Sequence, residues 1–138
     1  MKLFDTNVLI AAMMPHREHY ERAATTFETV QRAGEAAIGA HSLAEMYNVL
    51  TGRLLVNPKD ANTLIKRYTS GLEIIELDAS GYFNAITRVS NLGISGGAIY
   101  DAILAECAVN RQCDTLYTFN IKHYSRFGAD ISDIAQEP

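Results

Sequence analysis

Short apolar segments of strand type alternate with longer segments of helical periodicity along the chain, and this alternation constrains the fold more than any other feature. Ala23, Phe27 and Val30 recur at helical spacing with charged residues between them, and the short apolar segment Ala36–Gly39 follows. Short strands separated by helices predict a parallel sheet with helices on both faces. We therefore expect an α/β fold with a central parallel sheet of four to five strands.

The boundaries of these elements follow from apolar runs, glycines and prolines. The expected strands are Lys2–Phe4, Ala36–Gly39, Glu73–Leu77, Thr115–Thr118 and Asp130–Ile134. The expected helices run from Val8 to Met13, from Tyr20 to Gly34, from Ser42 to near Gly52, from Pro58 to Gly71, from Asp78 to Gly93, from Gly96 onward and from Lys122 to Arg126. The sequence shows no internal repeat or linker, and 138 residues are too few for two ordinary domains, so we expect one domain over residues 1–138.

Charge and composition exclude several classes of protein. The chain has 12 Lys and Arg against 16 Asp and Glu, a net charge of −4. This argues against a broad electrostatic grip on nucleic acid, although metal ions and a few local cations could still hold it. No apolar run approaches the roughly 20 residues that cross a bilayer, and no basic-then-apolar leader is present. We expect a cytoplasmic protein with no membrane association, in which Cys107 and Cys113 are free thiols because one helix would hold them too far apart to pair.

Five polar residues fall where the predicted strands end or where helices begin. Asp5 ends the first strand, and Thr118 and Asn120 lie at the end of the fourth. Glu45 falls in the first turn of the helix after the second strand, and Asp101 near the start of the helix that leads into the fourth. Parallel sheets bind ligands at the carboxyl ends of their strands, near the point where strand order reverses. If the first and fourth strands are neighbours, these residues converge.

Three carboxylates brought together would repel one another. A hard divalent cation relieves that repulsion, and ligand sets made only of oxygen favour Mg²⁺ or Mn²⁺. Asp101 supports this interpretation, because it follows the pair Gly96–Gly97 on a helix face lined by alanines, where an unpaired charge is costly to bury. The sequence therefore predicts a divalent metal site at Asp5, Glu45 and Asp101.

Each residue also has an ordinary structural interpretation. Asp5 could cap the helix after it, and Asp101 could face water at the positive end of its own helix. Ser42 to Glu45 fits a capping box, in which Glu45 would bond back to the cap amide. Thr118 and Asn120 could be an ordinary strand and turn residue.

The histidines carry less information than the acids. His16 and His19 lie three apart at the start of a surface helix and are interpreted as solvated. His41 precedes a helix cap, whereas His123 follows the turn at Asn120 and is the only histidine expected near the converging acids.

Four segments together resemble a known family. Leu3 to Ile10 resembles the opening of PIN-domain nucleases, and Ser42 to Glu45 their second acidic motif. Gly96 to Ala102 resembles the third motif in the form typical of VapC-type toxins, and Leu116 to Tyr124 resembles the fourth. The match covers nearly the whole chain in order.

The resemblance implies a single PIN-like domain that acts as an endoribonuclease, the toxin of a type II toxin–antitoxin pair. It implies that Asp5, Glu45 and Asp101 bind Mg²⁺ or Mn²⁺ and that metal-activated water hydrolyses the RNA phosphodiester. Its implied partners are the RNA substrate, a cognate antitoxin and a second copy of the chain in a homodimer.

The fourth motif departs from the fullest acidic form. Asn120 stands where many members have Asp, and His123 stands where another acid is common, so we expect one firm metal site. Asn120 keeps a catalytic role in this interpretation because its amide can bond to a metal-bound water. The supporting residues implied are Thr6, Asn7, Thr118 and His123, and the candidates for holding the RNA backbone are Arg53, Lys122 and Arg126.

Two other classes of function compete with a nuclease. The first is a catalytically weak PIN-like module that binds RNA or protein, which the missing fourth acid would favour. The second is phosphoryl chemistry on Asp5, as in haloacid-dehalogenase phosphatases or receiver domains. The phosphatases need an Asp two residues after the nucleophile, where this chain has Asn7. A receiver domain gives no reason for Glu45 or for Asp101.

Overall fold

Five parallel strands form one sheet in the computed structural model, which describes residues 1–138. The strands are β1 (Lys2–Phe4), β2 (Ala36–Gly39), β3 (Glu73–Ile75), β4 (Thr115–Tyr117) and β5 (Ala135–Gln136). Their order across the sheet is β3-β2-β1-β4-β5, and every neighbouring pair is parallel. The predicted parallel sheet is confirmed, and β1 lies at its centre beside β4. Strand order reverses at β1, so the carboxyl ends of β1 and β4 are the expected position for a ligand.

Eight α-helices connect and cover the strands. They are α1 (Thr6–Met13), α2 (Tyr20–Arg32), α3 (Ala40–Asn48), α4 (Pro58–Thr69), α5 (Ala79–Asn91), α6 (Ala98–Asn110), α7 (Ile121–Tyr124) and α8 (Ala129–Ser132). A π-helical turn, Val49–Arg53, extends α3. No helix combines the length and the apolar composition that crossing a bilayer requires.

Alternate residues of each strand pack into two separate cores on opposite faces of the sheet. Leu3 packs with Leu116 under α5 and α6, whereas the next residue, Phe4, packs with Ile38 under α1 to α4. This alternation follows from the period of two along a strand. With both faces covered, β1 has no exposed face, and Leu3 and Phe4 are fully buried.

Several helix boundaries follow from the capping residues expected of them. Asp78 accepts a hydrogen bond from the Gly81 amide at 2.9 Å and caps α5, as predicted. Asn57 accepts one from the Lys59 amide at 2.9 Å and caps α4, whose first residue is a proline. Cys107 and Cys113 are free and buried, as the spacing predicted.

The prediction of a last strand at Asp130–Ile134 is wrong. Residues Ala129–Ser132 form α8, and the strand that completes the sheet is Ala135–Gln136. Ile131 and Ile134 lie three residues apart, which is a helical spacing and not the alternation of a strand. Ile131 is fully buried in the core under α5 and α6.

A second set of differences concerns where elements begin and end. The helix predicted from Ser42 begins at Ala40, because Gly39 ends β2 in an extended conformation and serves as its N-cap. β3 and β4 end at Ile75 and Tyr117, before the predicted Leu77 and Thr118. The short helix predicted at Lys122–Arg126 spans Ile121–Tyr124 instead.

One arginine joins three separate elements on the α5–α6 side of the sheet. Arg88 of α5 donates to Glu106 of α6 at 2.8 Å and to the carbonyl of Phe127 at 2.6 Å. Its guanidinium also pairs with the Asp130 carboxylate of α8 at 2.8 Å. The Arg88 and Glu106 side chains are 17% and 10% exposed, so this pair is largely removed from water.

Candidate active site

A cavity of about 690 Å³ opens at the carboxyl ends of β1 and β4. It brings together most of the residues that the sequence predicted as functional. These are Asp5, Thr6, Asn7, Glu45, Arg53, Asp101 and Asn120. The convergence predicted for neighbouring first and fourth strands is therefore present in the structure.

Asp5 lies at the bottom of this site, buried and firmly held. Its Oδ2 accepts hydrogen bonds from Thr118 Oγ1 at 2.7 Å, Asn7 Nδ2 at 2.9 Å and the Tyr124 hydroxyl at 3.2 Å. Its Oδ1 accepts only a long bond, 3.4 Å, from the Asn7 amide, which makes Asp5 the N-cap of α1. The capping interpretation of Asp5 is therefore correct, and the same residue also lines the cavity. Oδ1 is the oxygen left for a ligand.

The environment of Asp5 favours its neutral form. Burial raises its pKa from an ordinary 3.8 to about 6, and the charges of Asp101 and Glu45 raise it further. The hydrogen bond from Thr118 acts in the opposite direction, because it favours the ionised carboxylate. The pKa of Tyr124 is raised well above its ordinary value by burial and by the Asp5 charge, so its hydroxyl stays protonated and donates.

Glu45 does not act as the reciprocal residue of a capping box. Because α3 begins at Ala40, Ser42 lies inside the helix and Glu45 falls in the second turn, not the first. Glu45 Oε2 instead accepts a hydrogen bond from Thr6 Oγ1 at 2.9 Å. Burial raises the pKa of Glu45 and the charge of Asp101 adds to this, while the Thr6 bond opposes it. The capping-box alternative is wrong.

Asp101 lies in the first turn of α6 and turns toward the cavity. Its Oδ2 lies 2.8 Å from His123 Nδ1, and its side chain is 21% exposed, so it does not simply face water. Gly96, in the loop before α6, has a φ of +73°, a conformation that glycine adopts without strain. His123 thus lies beside the acids, as expected for the only histidine placed there from the sequence.

Asn7, Thr118 and Asn120 connect the ends of β1 and β4. Asn7 Nδ2 donates to Thr118 Oγ1 at 3.3 Å, and the Phe119 amide donates to Asn7 Oδ1 at 3.2 Å. The Asn120 amide donates to Thr118 Oγ1 at 2.9 Å, and the Asn120 side chain makes no capping bond to α7. Asn120 therefore has a free carboxamide at the edge of the cavity, which supports a role beyond that of a turn residue.

Sequence reasoning missed four residues around this cavity. The first is Tyr124, which lies within the fourth motif but received no role of its own. The second is His41, whose Nε2 is buried without a hydrogen-bond partner and lies 3.9 Å from Glu45 Oε2. Burial lowers the pKa of His41 to about 4, so it is neutral at pH 7. The others are Arg17 and His19, which line the cavity from the loop between α1 and α2.

The predicted basic residues separate into two groups. Arg53, at the end of the π-helical turn, lines the cavity. Lys122 is exposed and Arg126 lies over the ring of Phe127, and neither lines the cavity. The interpretation of His19 as a solvated residue is wrong, because its ring stacks on Phe119.

The donor atoms at this site fit a hard divalent cation in kind. Asp5, Glu45 and Asp101 supply only carboxylate oxygens, the ligands that Mg²⁺ and Mn²⁺ prefer. As the side chains lie, no three His, Cys, Asp or Glu residues are close enough together to hold one ion. Glu45 Oε2 and Asp101 Oδ2 are each engaged by a neighbour, so binding requires carboxylates to turn toward the ion.

Comparison with known proteins agrees with this architecture. The family model described as the PIN domain matches residues 2–128. Ribonuclease VapC27 of Mycobacterium tuberculosis is 35% identical over 115 residues, which cover 80% of this chain and 78% of that protein. The chain belongs to the PIN-domain family, and within it to the VapC group, as the four motifs predicted.

Solved structures show the same fold at lower identity. The chain aligns with a structure of VapBC2 from Rickettsia felis bound to a promoter DNA fragment, with a TM-score of 0.71, 24% identity and coverage of 99% of this chain and 97% of that one. It aligns with Mycobacterium tuberculosis VapC20, described as a sarcin-ricin loop cleaving toxin, with a TM-score of 0.71, 14% identity and coverage of 87% and 90%.

Proposed function

We propose that this chain is an endoribonuclease dependent on Mg²⁺ or Mn²⁺ and the toxin of a type II toxin–antitoxin pair. The observation that carries the proposal is the meeting of Asp5, Glu45 and Asp101 on one cavity at the point where strand order reverses. The family relationship supports RNA as the substrate, because the relative with 35% identity is named a ribonuclease. A non-catalytic module would have no need to keep three acids in a half-buried cluster, where their charges oppose one another.

The same three acids would hold the ion. Asp5 would bind through Oδ1, since Oδ2 is occupied by three donors, and Glu45 and Asp101 would supply further oxygens. When bound, such an ion lowers the pKa of water and neutralises charge on a phosphate. Asn7, Thr118 and Tyr124 fix the orientation of Asp5, and the free carboxamide of Asn120 can orient an attacking water or a phosphate oxygen.

RNA cleavage should require the divalent ion. We expect the purified protein to cleave RNA with Mg²⁺ or Mn²⁺ and to stop when EDTA is added. The ion should also raise the melting temperature, because it binds the gathered carboxylates only in the folded chain. Asp101→Asn should lose both effects, whereas Asp133→Asn, which changes an exposed carboxylate remote from the cavity, should keep both.

Two results would contradict this proposal. Cleavage that survives both EDTA and Asp101→Asn would show that another site is responsible. An ion-dependent rise in melting temperature without cleavage of any RNA would instead favour a binding module of the same fold. Trapping of a phosphate analogue on Asp5 would favour phosphoryl chemistry.

We further propose two protein partners, an antitoxin and a second copy of the chain. Chains of this fold occur in the complexes named VapBC from Rickettsia felis and Salmonella typhimurium. The antitoxin would lie across Ala12–Phe27 and Met46–Leu54 and place a cation near Asp5, where the acids attract it. For the homodimer, α5 presents the exposed apolar side chains Phe83 and Ile86.

The homodimer can be tested by light scattering at micromolar concentration. We expect the mass of a dimer for the wild type and a shift toward monomer for Phe83→Glu, because a charge would have to be buried in an apolar contact. Lys66→Glu, on α4 across the sheet, serves as the matched control and should remain dimeric. A monomeric wild type would contradict this proposal and leave the ribonuclease proposal standing.

A further inference from the structure

The loop between α1 and α2, residues 14–19, extends the candidate active site on one side. Arg17 and His19 line the cavity that holds the carboxylates. They also line a second cavity of about 500 Å³, together with Pro15, Tyr20, Glu21 and Arg22. Because the two cavities share Arg17 and His19, a continuous depression leads from the acids past this loop.

An aromatic shelf lies beside that depression. The ring of His19 stacks on Phe119, with 4.6 Å between centroids and 22° between planes. The Arg22 guanidinium lies 5.4 Å from the centroid of the same Phe119 ring and also pairs with Glu137. The backbone of Phe119 is tied to the acid site through its hydrogen bond to Asn7. The shelf is therefore held in a fixed relation to Asp5.

The His19 side chain is held in an unusual conformation while much of it stays open to solvent. Its φ is +69°, a left-handed conformation that is strained for a residue with a Cβ. The side chain is 42% exposed although one face packs on Phe119. A flat ring backed by a second ring and open on its other side is the kind of surface on which an unpaired base stacks.

The charges around the cavity show what a polyanion needs there. Four acids line it, namely Asp5, Glu18, Glu45 and Asp101, against two arginines, Arg17 and Arg53. The net charge of −4 gives no general attraction to RNA. Phosphates next to the acids therefore depend on these two arginines. Arg53 was a candidate from the sequence, whereas Arg17 had no assigned role.

We propose that Arg17, His19 and Phe119 form a nucleotide-binding subsite next to the carboxylates. His19, backed by Phe119, stacks on an unpaired base of single-stranded RNA, and Arg17 binds a phosphate adjoining that base. This subsite rests on the proposed ribonuclease function and extends it, because it specifies that the nucleotide beside the cleaved bond is unpaired.

Binding can be measured without cleavage in an Asp5→Asn background with EDTA present. The probes are fluorescein-labelled dodecauridylate, which stacks little on itself, and an abasic ribose-phosphate chain of the same length. Arg17→Gln should weaken binding of both probes about 5- to 10-fold and reduce the log–log salt slope by about 1, as expected for one lost phosphate contact. Arg32→Gln, an exposed arginine paired with Glu28 on α2, is the control and should change neither.

The base-stacking half of the proposal needs a different pair of substitutions. His19→Asn keeps a residue that tolerates positive φ but removes the ring, so the loop should still fold. It should weaken binding of dodecauridylate at least 5-fold and leave binding of the abasic chain unchanged. His19→Phe restores a flat ring and should bind dodecauridylate nearly as well as His19 does.

The outcomes separate this subsite from the function on which it rests. If the wild type cleaves RNA but Arg17→Gln and His19→Asn bind and cleave like Arg32→Gln, the subsite is wrong and the ribonuclease proposal stands. If His19→Asn weakens both probes equally, the ring contributes no base stacking and that assignment fails. If the wild type neither binds nor cleaves RNA, both proposals fail together.

Discussion

Replacing Asp5 with Asn should abolish RNA cleavage and yet raise the melting temperature of the metal-free protein at pH 7.5 by about 5 °C. The amide oxygen can take the place of Oδ2 and accept from Asn7, Thr118 and Tyr124, while the NH₂ group takes the place of Oδ1. Asn also remains a good N-cap for α1. The substitution thus removes a buried charge and the ligand atom for the ion without removing the hydrogen bonds.

The size of this effect should depend on pH. The pKa of Asp5 is about 6 in the folded chain against an ordinary 3.8. A raised folded pKa means that Asp5 stabilises the fold while protonated, and that this stability is lost as pH rises through 6. Two pKa units correspond to about 3 kcal/mol, and we expect about 2 kcal/mol because an amide oxygen accepts more weakly than a carboxylate. The two proteins should differ little in stability at pH 4 and most above pH 7.

Thermal or urea unfolding with EDTA from pH 4 to pH 8 measures this difference. Mn²⁺ at saturating concentration should reverse the order, since it stabilises the wild type and not the variant. Asp133→Asn, an exposed carboxylate remote from the cavity, should follow the wild type at every pH. If Asp5→Asn were less stable than the wild type in EDTA at pH 7.5, the charge of Asp5 would be a structural requirement and not a cost.

The largest loss of stability outside the cores is expected for Arg88→Met. The substitution leaves the Glu106 carboxylate buried without its cation and frees the Phe127 carbonyl and Asp130. Removing one partner of a largely buried ion pair costs several kcal/mol, and we expect about 3 kcal/mol here. Arg111→Met, which removes a more exposed arginine paired with Glu73, should cost about 0.5 kcal/mol.

Urea unfolding of the three proteins tests this ranking, and the denaturant slope should stay the same for all of them. Arg88→Met/Glu106→Leu, which removes the buried carboxylate as well, should regain part of the loss. Equal stability of Arg88→Met and Arg111→Met would mean that the contacts of Arg88 hold α8 no more strongly than a surface pair would.

The elements that position the site could be predicted because their signals are local. Asp5 directly follows an apolar strand, and Asp101 follows a glycine pair into a helix, so both places were predictable from adjacent residues. The adjacency of β1 and β4 could only be stated as a condition, since no pairing rule ties residues 113 positions apart. The structure meets that condition.

The predictions that failed depended on contacts distant in sequence. Ser42 to Glu45 has the pattern of a capping box, but β2 ends at Gly39, which moves the start of α3 and turns Glu45 toward Thr6. The stack of His19 on Phe119 joins the two ends of the chain across the sheet, and nothing near His19 in the sequence indicates it.

The three donors that hold Asp5 Oδ2 also bear on how such a protein is made. Asp5 emerges from the ribosome first, whereas Thr118 and Tyr124 lie 113 and 119 residues later. Strand β4, which closes the sheet beside β1, comes just as late. A growing chain therefore has its first acid long before it can hold that acid in place. Cleavage of the cell's RNA has to wait until synthesis is almost complete, and a prematurely terminated chain that lacks Tyr124 carries the acids but not the assembled site.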